Sequence, residues 1–336
     1  MRKQTVIPII VVVLIVFIAS CRPVPTLPPE GSERIKLSDW ACYELQFPSR
    51  AGHIVLAFSN YKYIIGGTAD SVVGMNDVWK ESIHQHDNWV TATASAEFSP
   101  RWDHTGVVFG QKMWVIGGTP DGVSGLNDVW YSEDGAVWVT ATASAAFSGR
   151  WGHTSVEYDN KMWVIGGTAD GVSGLNDVWY SEDGAVWVAA TGSAAFSGRW
   201  EHTSAVYKDK IWMIGGTADG ASGLNDVWCS EDGAVWVAVT VSAAFSGRWG
   251  HQSGIDVEKI DDYIFVIGGR DQSNYLNDIW SSKNGKDWIK QNSTNLMPRA
   301  RLGVVHRNVY IQIYGGRDES NYYGDSCYSV IEREYY

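Results

Sequence analysis

The polar and apolar positions of this chain follow one pattern that returns about every fifty residues. In one copy, "HTSVEY" from His153 alternates small or apolar with polar residues, and the apolar run "KMWVIGG" from Lys161 ends in a glycine pair. The segment "NDVWYS" from Asn176 is rich in strand formers, and "EDG" from Glu182 indicates a tight turn before "AVWVAAT" from Ala185. The pattern predicts four short strands per copy and no helix.

The glycine pair marks this unit through the whole chain. Its copies are 47 to 53 residues apart and begin at Gly66, Gly117, Gly166, Gly215, Gly268 and Gly315. A period of this length is typical of an architecture in which each unit buries its apolar face against its neighbours. Four antiparallel strands repeated radially make a propeller blade, so the chain is predicted to be all-β, with six blades in a β-propeller.

Tryptophans support the same register. Trp179 falls in the third predicted strand and Trp187 in the fourth, and a tight EDG turn would place them opposite each other across the hairpin. We predict packing roles for both, since aromatic cross-strand pairs stabilise sheets.

Four features of the unit together resemble the kelch family. They are the glycine pair after an apolar strand, the Arg-x-x-His before the first strand, the "NDVW" segment and the fourth-strand tryptophan. The resemblance covers residues 36–336, six times over. It implies a kelch-type propeller but not one function, because this scaffold serves binding proteins, glycan enzymes and oxidases alike.

The two ends of the repeat region predict how the ring closes. The sixth unit ends after three predicted strands, while Leu37 to Leu45 precedes the first unit and carries Trp40 at a fourth-strand position. The N-terminal strand is therefore predicted to complete the last blade, which removes an exposed edge. Cys42 and Cys327 lie on the two strands that close the ring and form a candidate disulfide, as diagonal rather than directly opposite neighbours.

The first 35 residues carry a different pattern. Arg2 and Lys3 precede an apolar run that is short for a membrane span, and residues 1–20 are predicted to be a secretory signal. The pair Ala19-Ser20 before Cys21 resembles the bacterial lipobox, which implies lipidation of that cysteine. An ordinary signal peptide or a single anchor helix are the alternatives. Residues 21–35 are proline-rich and read as an extended tether.

Charge and localisation follow from these segments. The formal net charge of −12 argues against non-specific binding to nucleic acid. The lipobox resemblance implies an exported protein on a bacterial membrane, and the absence of aspartate after the lipidated cysteine favours the outer membrane or cell surface. We expect a monomer that contacts the membrane only through its lipid anchor.

One candidate ligand site is a tryptophan column in the connections between blades. In kelch propellers, ligands bind on the face built by these connections and by the loops between the second and third strands. An aspartate in each loop would surround exposed tryptophans suited to stacking on sugars. The alternative is that the tryptophans cap the blade junctions. The column comprises Trp102, Trp151, Trp200 and Trp249.

A second candidate site is a group of arginines. Arg270 and Arg317 replace the threonine that follows the glycine pair in the other four units, and Arg301 replaces a glycine or acid. Peptide-binding kelch domains place arginines at similar positions, so the three could hold a carboxylate. The alternative is pairing with Asp271, Asp318 or other acids nearby.

Histidines form a further column, at His53, His104, His153, His202 and His251, with Leu302 in the sixth place. Five copies indicate a repeated structural hydrogen bond rather than catalysis. His84 and His86 lack recognisable metal partners. No catalytic set, metal site or cofactor site emerges. The predicted function is an envelope-anchored binding protein for a protein or glycan, and the alternative is a carbohydrate-active enzyme such as a sugar mutarotase.

Overall fold

The structure is a computed structural model that describes residues 33–85, 88–255, 263–307 and 310–335. Its compact body comprises Ile35–Glu332. The described residues form strands and turns and contain no helix. Accordingly, no helix long and apolar enough to span a membrane was found among them.

Twenty-five strands of the described chain fall into six antiparallel sheets, one for each repeat. Two strands precede the first complete blade: β1 (Glu33–Leu37) and β2 (Ala41–Glu44). Blade one comprises β3 (Ile54–Phe58), β4 (Tyr61–Thr68), β5 (Gly74–Ser82) and β6 (Val90–Thr93). Blade two comprises β7 (Thr105–Phe109), β8 (Lys112–Gly118), β9 (Leu126–Ser132) and β10 (Val139–Thr142). Blade three comprises β11 (Thr154–Tyr158), β12 (Lys161–Ile165), β13 (Val178–Ser181) and β14 (Val188–Thr191).

The remaining blades repeat this arrangement. Blade four comprises β15 (Thr203–Tyr207), β16 (Lys210–Ile214), β17 (Val227–Ser230) and β18 (Val237–Thr240). Blade five comprises β19 (Gln252–Ile255), β20 (Ile264–Ile267), β21 (Ile279–Ser282) and β22 (Ile289–Gln291). Blade six comprises β23 (Gly303–Arg307), β24 (Tyr310–Tyr314) and β25 (Asp325–Tyr335), joined by β1 and β2.

The blades form a closed ring, which confirms the predicted six-bladed propeller. The first strand of each blade packs against the first strand of the next, and β23 returns to β3. Apolar side chains fill the wedges between blades: Met162 and Val164 of blade three pack with Val107 of blade two. Each unit thus buries its apolar face against a neighbour, as the repeat pattern predicted.

Ring closure follows the prediction but differs in detail. Both β1 and β2 pair with β25, so blade six takes its outer strand from the start of the chain. The strand β1 includes residue 36, where the propeller was expected to begin. Cys42 and Cys327 form a disulfide. They are direct register partners rather than diagonal neighbours, so that part of the prediction was wrong.

The hairpin between the third and fourth strands explains this error. Trp179 lies opposite Ala189, two residues beyond Trp187. The turn is longer than EDG alone because two side chains cap it in succession. Ser181 Oγ accepts the N–H groups of Asp183 and Gly184, and the Asp183 carboxylate accepts the next two. The same two-residue offset in blade six brings Cys42 opposite Cys327.

Candidate ligand-binding face and central channel

A buried arginine fixes the connection at the start of each blade. Arg150 is fully buried, and its guanidinium donates to both carboxylate oxygens of Asp177 at 2.7 and 2.8 Å and to the Gly166 carbonyl at 2.9 Å. The arginine of the Arg-x-x-His motif and the aspartate of "NDVW" therefore form one bidentate pair. Burial alone would raise the pKa of Asp177, but the hydrogen bonds and charge of Arg150 hold it below its usual value.

This pair recurs in every blade and was not predicted. Its six copies are Arg50–Asp77, Arg101–Asp128, Arg150–Asp177, Arg199–Asp226, Arg248–Asp278 and Arg299–Asp325. A sequence signal existed, because the arginine and the aspartate keep nearly the same separation in each unit. The pairs hold the inter-blade connections and the loops after the second strands on one face, here named the connection face.

The tryptophan column lies on this face, but its members are buried. Trp102, Trp151, Trp200 and Trp249 are each at most 5% exposed, so the expectation of exposed stacking surfaces was wrong. The loop between the second and third strands folds over the ring. A Cβ added at Gly122 would lie 3.0 Å from Trp102, and the Arg270 guanidinium stacks 5.0 Å from the Trp249 ring centre. The tryptophans cap the blade junctions, which was the alternative interpretation.

The loop aspartates also serve their own loops. Asp121 Oδ1 accepts the backbone N–H groups of Val123 and Ser124, and Asp219 does the same for Ala221 and Ser222. These backbone hydrogen bonds lower the pKa of Asp219 to about 2. The carboxylates stay exposed, but their main partners are the amides of their own turns.

The histidine column is buried around the channel wall. The five rings are at most 5% exposed, and burial lowers the pKa of His53, His153 and His251 to about 3. A Cβ at Gly117 would lie 2.9 Å from Cε1 of His153, so each ring packs on a glycine pair of the preceding blade. Threonine bonds two rings of the column, as Thr154–His202 at 3.0 Å and Thr203–His251 at 3.3 Å. Backbone hydrogen bonds from the preceding blade also act on the pKa of four of these histidines, in the pairs His53–Tyr314, His104–Ile65, His153–Ile116 and His251–Ile214.

One residue per blade, directly before this column, forms a ring that we name the mouth ring. Each backbone N–H donates to the carbonyl of its counterpart in the preceding blade, at 2.7 to 3.0 Å, and the six bonds close a circle. Every member has φ between 49° and 64°, a conformation that glycine adopts without strain. The members are Gly52, Asp103, Gly152, Glu201, Gly250 and Arg301.

Glycine and charged residues alternate around the mouth ring, and the three charged side chains meet. Arg301 Nη2 lies 2.5 Å from Glu201 Oε1 and 3.3 Å from Asp103 Oδ2. Burial raises the pKa of Asp103 to about 7; Arg301 opposes this shift and Glu201 adds to it. Burial alone would lower the pKa of Arg301, but the two carboxylates raise it. Arg301 is therefore neutralised within the protein, as the alternative to a ligand role expected.

The other two candidate arginines have different surroundings. Arg317 donates to Ser71 Oγ at 2.9 Å and to the Tyr322 hydroxyl at 3.1 Å, and its guanidinium stacks on the Tyr322 ring. Arg270 lies against Trp249 and Tyr275, and its buried Nε has no hydrogen-bond partner. Within the described ranges, neither arginine forms an ion pair with a carboxylate. The structure thus separates the predicted trio into one paired and two unpaired cations.

Inside the mouth ring, the first strands enclose a cavity of about 200 Å³. Its wall is divided into two sectors. Blades two to five contribute Thr105, Thr154, Ser155, Thr203, Ser204 and Gln252, whereas blades six and one contribute Ile54, Val55, Leu302 and Val304. The cavity can therefore accept a compact molecule with a polar and an apolar side.

One group of potential metal ligands comes together in the described part of the chain. The cluster of potential ligands found there consists of Cys42, Asp325 and Cys327, and both cysteines are used in the disulfide. His84 is exposed in the blade-one hairpin, and His86 lies outside the described residues, as does Cys21.

Comparison with known families agrees with this architecture. The chain matches the KLHDC2/KLHL20/DRC7 Kelch-repeats domain over residues 52–255, about three fifths of its length. The protein therefore belongs to the kelch-repeat family, and its propeller is of the kind that serves as a protein-binding scaffold.

One curated protein is similar to a short part of this chain. The chain is 31% identical over 70 residues to tRNA wybutosine-synthesizing protein 2/3/4 of Arabidopsis thaliana. The match spans 21% of this chain and 7% of that protein. It covers little more than one repeat.

Proposed function

We propose that this protein is an envelope-anchored binding protein that grips an anionic group of a protein ligand on its connection face, at blades five, six and one. The observation that carries the proposal is the pair Arg270 and Arg317. Both are half-buried, and neither has a carboxylate partner among the described residues. Since a half-buried cation is costly to leave without a counter-charge, the pair is suited to a carboxylate supplied from outside.

The surroundings of this pair favour a peptide over a bare ion. Tyr275 and Tyr322 stack on the two guanidiniums, and Ser71 adds a hydroxyl from the neighbouring blade. Aromatic and arginine side chains of this kind are enriched where protein interfaces gain most of their binding energy. The acidic remainder of the chain would repel ligands whose negative charge is spread more widely.

Binding to arrayed acidic peptides is expected to require the arginine pair. The Arg270→Ala/Arg317→Ala variant should lose at least tenfold in affinity, because a charge-assisted hydrogen bond contributes about 1.5–3 kcal/mol. Affinity should also fall as salt increases. A peptide array and a glycan array probed in parallel with the wild type and the variant measure this.

Two comparisons make the test specific. Lys290→Ala removes an exposed cation from the outer strand of blade five and should leave peptide binding unchanged. Replacing the acidic residues of a bound peptide by their amides should reproduce the effect of the arginine variant. Equal binding by wild type and variant would exclude the arginine pair as the ligand site.

The location rests on the first residues of the chain and on the disulfide. A positive start, an apolar run and Ala19-Ser20-Cys21 are what a lipoprotein signal requires, and a disulfide between the chain ends suits an oxidising compartment. The disulfide supports export, and the signal sequence supports both export and anchoring at the bacterial envelope, with the outer membrane or cell surface favoured.

Cys21→Ser is expected to abolish lipid labelling and to release the protein from the membrane fraction or block its processing. Metabolic labelling with a fatty acid, followed by fractionation, measures both. Cys229→Ser, which changes a free cysteine of blade four, is the matched control and should be labelled like the wild type. Labelling that persists in Cys21→Ser would contradict the anchor.

A carbohydrate-active enzyme is the second candidate, and one observation favours it. The Asp103 carboxyl has a pKa of about 7, beside Glu201 and a cavity lined with hydroxyls. A group that titrates near neutral pH is suited to proton transfer. Anomer exchange or turnover of a glycan found on the array would favour this candidate over simple binding.

A further inference from the structure

The tryptophan column is interrupted at two adjacent blades. In blades two to five a tryptophan follows the buried arginine, but Ala51 and Ala300 take that place in blades one and six. Both alanines are buried, and they form β-bridges with Thr68 and Arg317 of their own blades. Two indole rings are therefore missing from the connection face at blades six and one, and Arg317 lies at this gap.

The blade-one loop beside the gap differs from its counterparts. Blades two and three read "DGVS" in this loop and blade four reads "DGAS", whereas blade one reads "DSVV" from Asp70. Ser71 has a φ of 58°, and the glycines at its position in the other three loops have φ of 71° to 76°. A Cβ at Gly122 would lie 3.0 Å from Trp102, whereas Ala51 leaves room for the Ser71 side chain.

The Ser71 hydroxyl joins blade one to blade six. Arg317 Nη1 donates to Ser71 Oγ at 2.9 Å and to the Tyr322 hydroxyl at 3.1 Å, and the two hydroxyls lie 2.6 Å apart. Glycine would adopt this backbone conformation without strain, so a serine there points to a function of its side chain. Ser71 holds the Arg317 guanidinium in place, and the rest of its loop lies directly beside that cation.

Two exposed valines follow Ser71. Val72 and Val73 are 64% and 62% exposed, whereas the equivalent loops have one valine or alanine followed by serine. Both N–H groups donate to Asp70 Oδ1, at 2.8 and 2.9 Å, and the Val73 carbonyl accepts from Thr68 Oγ1. We name this pair the valine ledge. Its backbone is already ordered, so a partner that covers it pays little conformational entropy.

We propose that the arginine pair and the valine ledge recognise one extended peptide, in which an acidic and an aliphatic residue lie two positions apart. This inference rests on the function proposed above and adds the class of ligand. In an extended chain, residues i and i+2 point to the same side, about 7 Å apart. The acid reaches Arg317, and the aliphatic side chain covers the ledge, which begins one residue after the serine that touches this arginine.

A positional peptide library tests this pattern on the full-length chain. Glutamate is fixed at the centre, and the two positions on either side are varied. The wild type should prefer Val, Ile or Leu over Ser by about fivefold at one of the two positions that lie two residues from the glutamate. Val72→Ser/Val73→Ser should remove this preference and retain the requirement for glutamate.

Two further variants separate the ledge from the cation. Val123→Ser changes a valine that is 71% exposed in the blade-two loop, and should keep both preferences. Ser71→Gly restores the glycine of the equivalent loops, so it should melt no lower than the wild type. It should nevertheless weaken all glutamate peptides to a similar extent, at least threefold, because Arg317 loses the hydroxyl that holds it.

The possible outcomes distinguish this inference from the function on which it rests. Binding that requires glutamate but shows no aliphatic preference would overturn the valine ledge and leave the arginine pair in place. An aliphatic preference that survives in Val72→Ser/Val73→Ser would do the same. Binding that is unchanged when glutamine replaces the glutamate, or no binding to any library peptide, would overturn both.

Discussion

Lowering the pH from 7.5 to 4.5 is expected to unfold the propeller. Above about pH 6.5 the five column histidines are neutral in both states. Below it the unfolded chain binds protons that the folded chain excludes, since burial holds the pKa of His53, His153 and His251 near 3. The free energy of unfolding therefore decreases as the pH is lowered, down to about pH 3. The decrease is about 1.4 kcal/mol per pH unit for each histidine. Five such groups can exhaust the 5–15 kcal/mol that is usual for a domain.

The chain supplies its own matched variant for this effect. Leu302 occupies the histidine position in blade six, so His153→Leu fits a site that already accepts leucine. It should reduce the pH dependence of stability by about 1.4 kcal/mol per pH unit, measured as urea midpoints between pH 7.5 and 5. His84→Leu, in an exposed hairpin, should leave the dependence unchanged. A midpoint that does not fall between pH 7.5 and 5 would contradict burial of neutral histidines.

Opening the ring is expected to lower the free energy of unfolding nearly as much as acid does. The Cys42–Cys327 disulfide links residues 285 positions apart, and the chain-entropy model gives about 6 kcal/mol for a loop of that length. Cys42→Ala/Cys327→Ala should therefore lower the denaturation midpoint strongly. Deleting residues 33–46 as well removes both outer strands of blade six and leaves β25 with an unpaired edge.

Cys229→Ala is the control for the disulfide, since it removes a half-buried free thiol from a third strand. Its midpoint should stay close to that of the wild type. The deletion variant should also form larger species at high concentration, measured by light scattering, because an open strand edge pairs with other chains. A deletion variant that unfolds like the intact protein would show that β1 and β2 do not hold the ring together.

The sequence predicted the architecture well because the fold is a repeat. One unit could be read six times, and the missing fourth strand of the last unit pointed to Trp40 and its neighbours at the start. Register was harder to predict, because hydroxyl and carboxylate caps such as Ser181 and Asp183 lengthen a turn by side-chain geometry. The same caps account for the error over Cys42 and Cys327.

The candidate site was less predictable, for two physical reasons. The exposure of the tryptophans depends on the path of the loops between the second and third strands. Gly122 of one such loop lies directly over the Trp102 ring. The charged cluster joins residues about a hundred positions apart, so Asp103, Glu201 and Arg301 meet only when the ring closes. The identity of each residue was visible in the sequence, but the circle of hydrogen bonds that aims them at one another was not.

The most direct test of the proposed ligand site is hydrogen exchange, measured on the full-length chain with and without a peptide that the array identifies. The account predicts slower exchange in three loops of the connection face: around Ser71, between Arg270 and Tyr275, and between Arg317 and Tyr323. Blades two to four have equivalent loops and serve as internal controls that should not change. Protection spread equally over all six loops, or confined to the outer strands, would contradict a site built on the arginine pair.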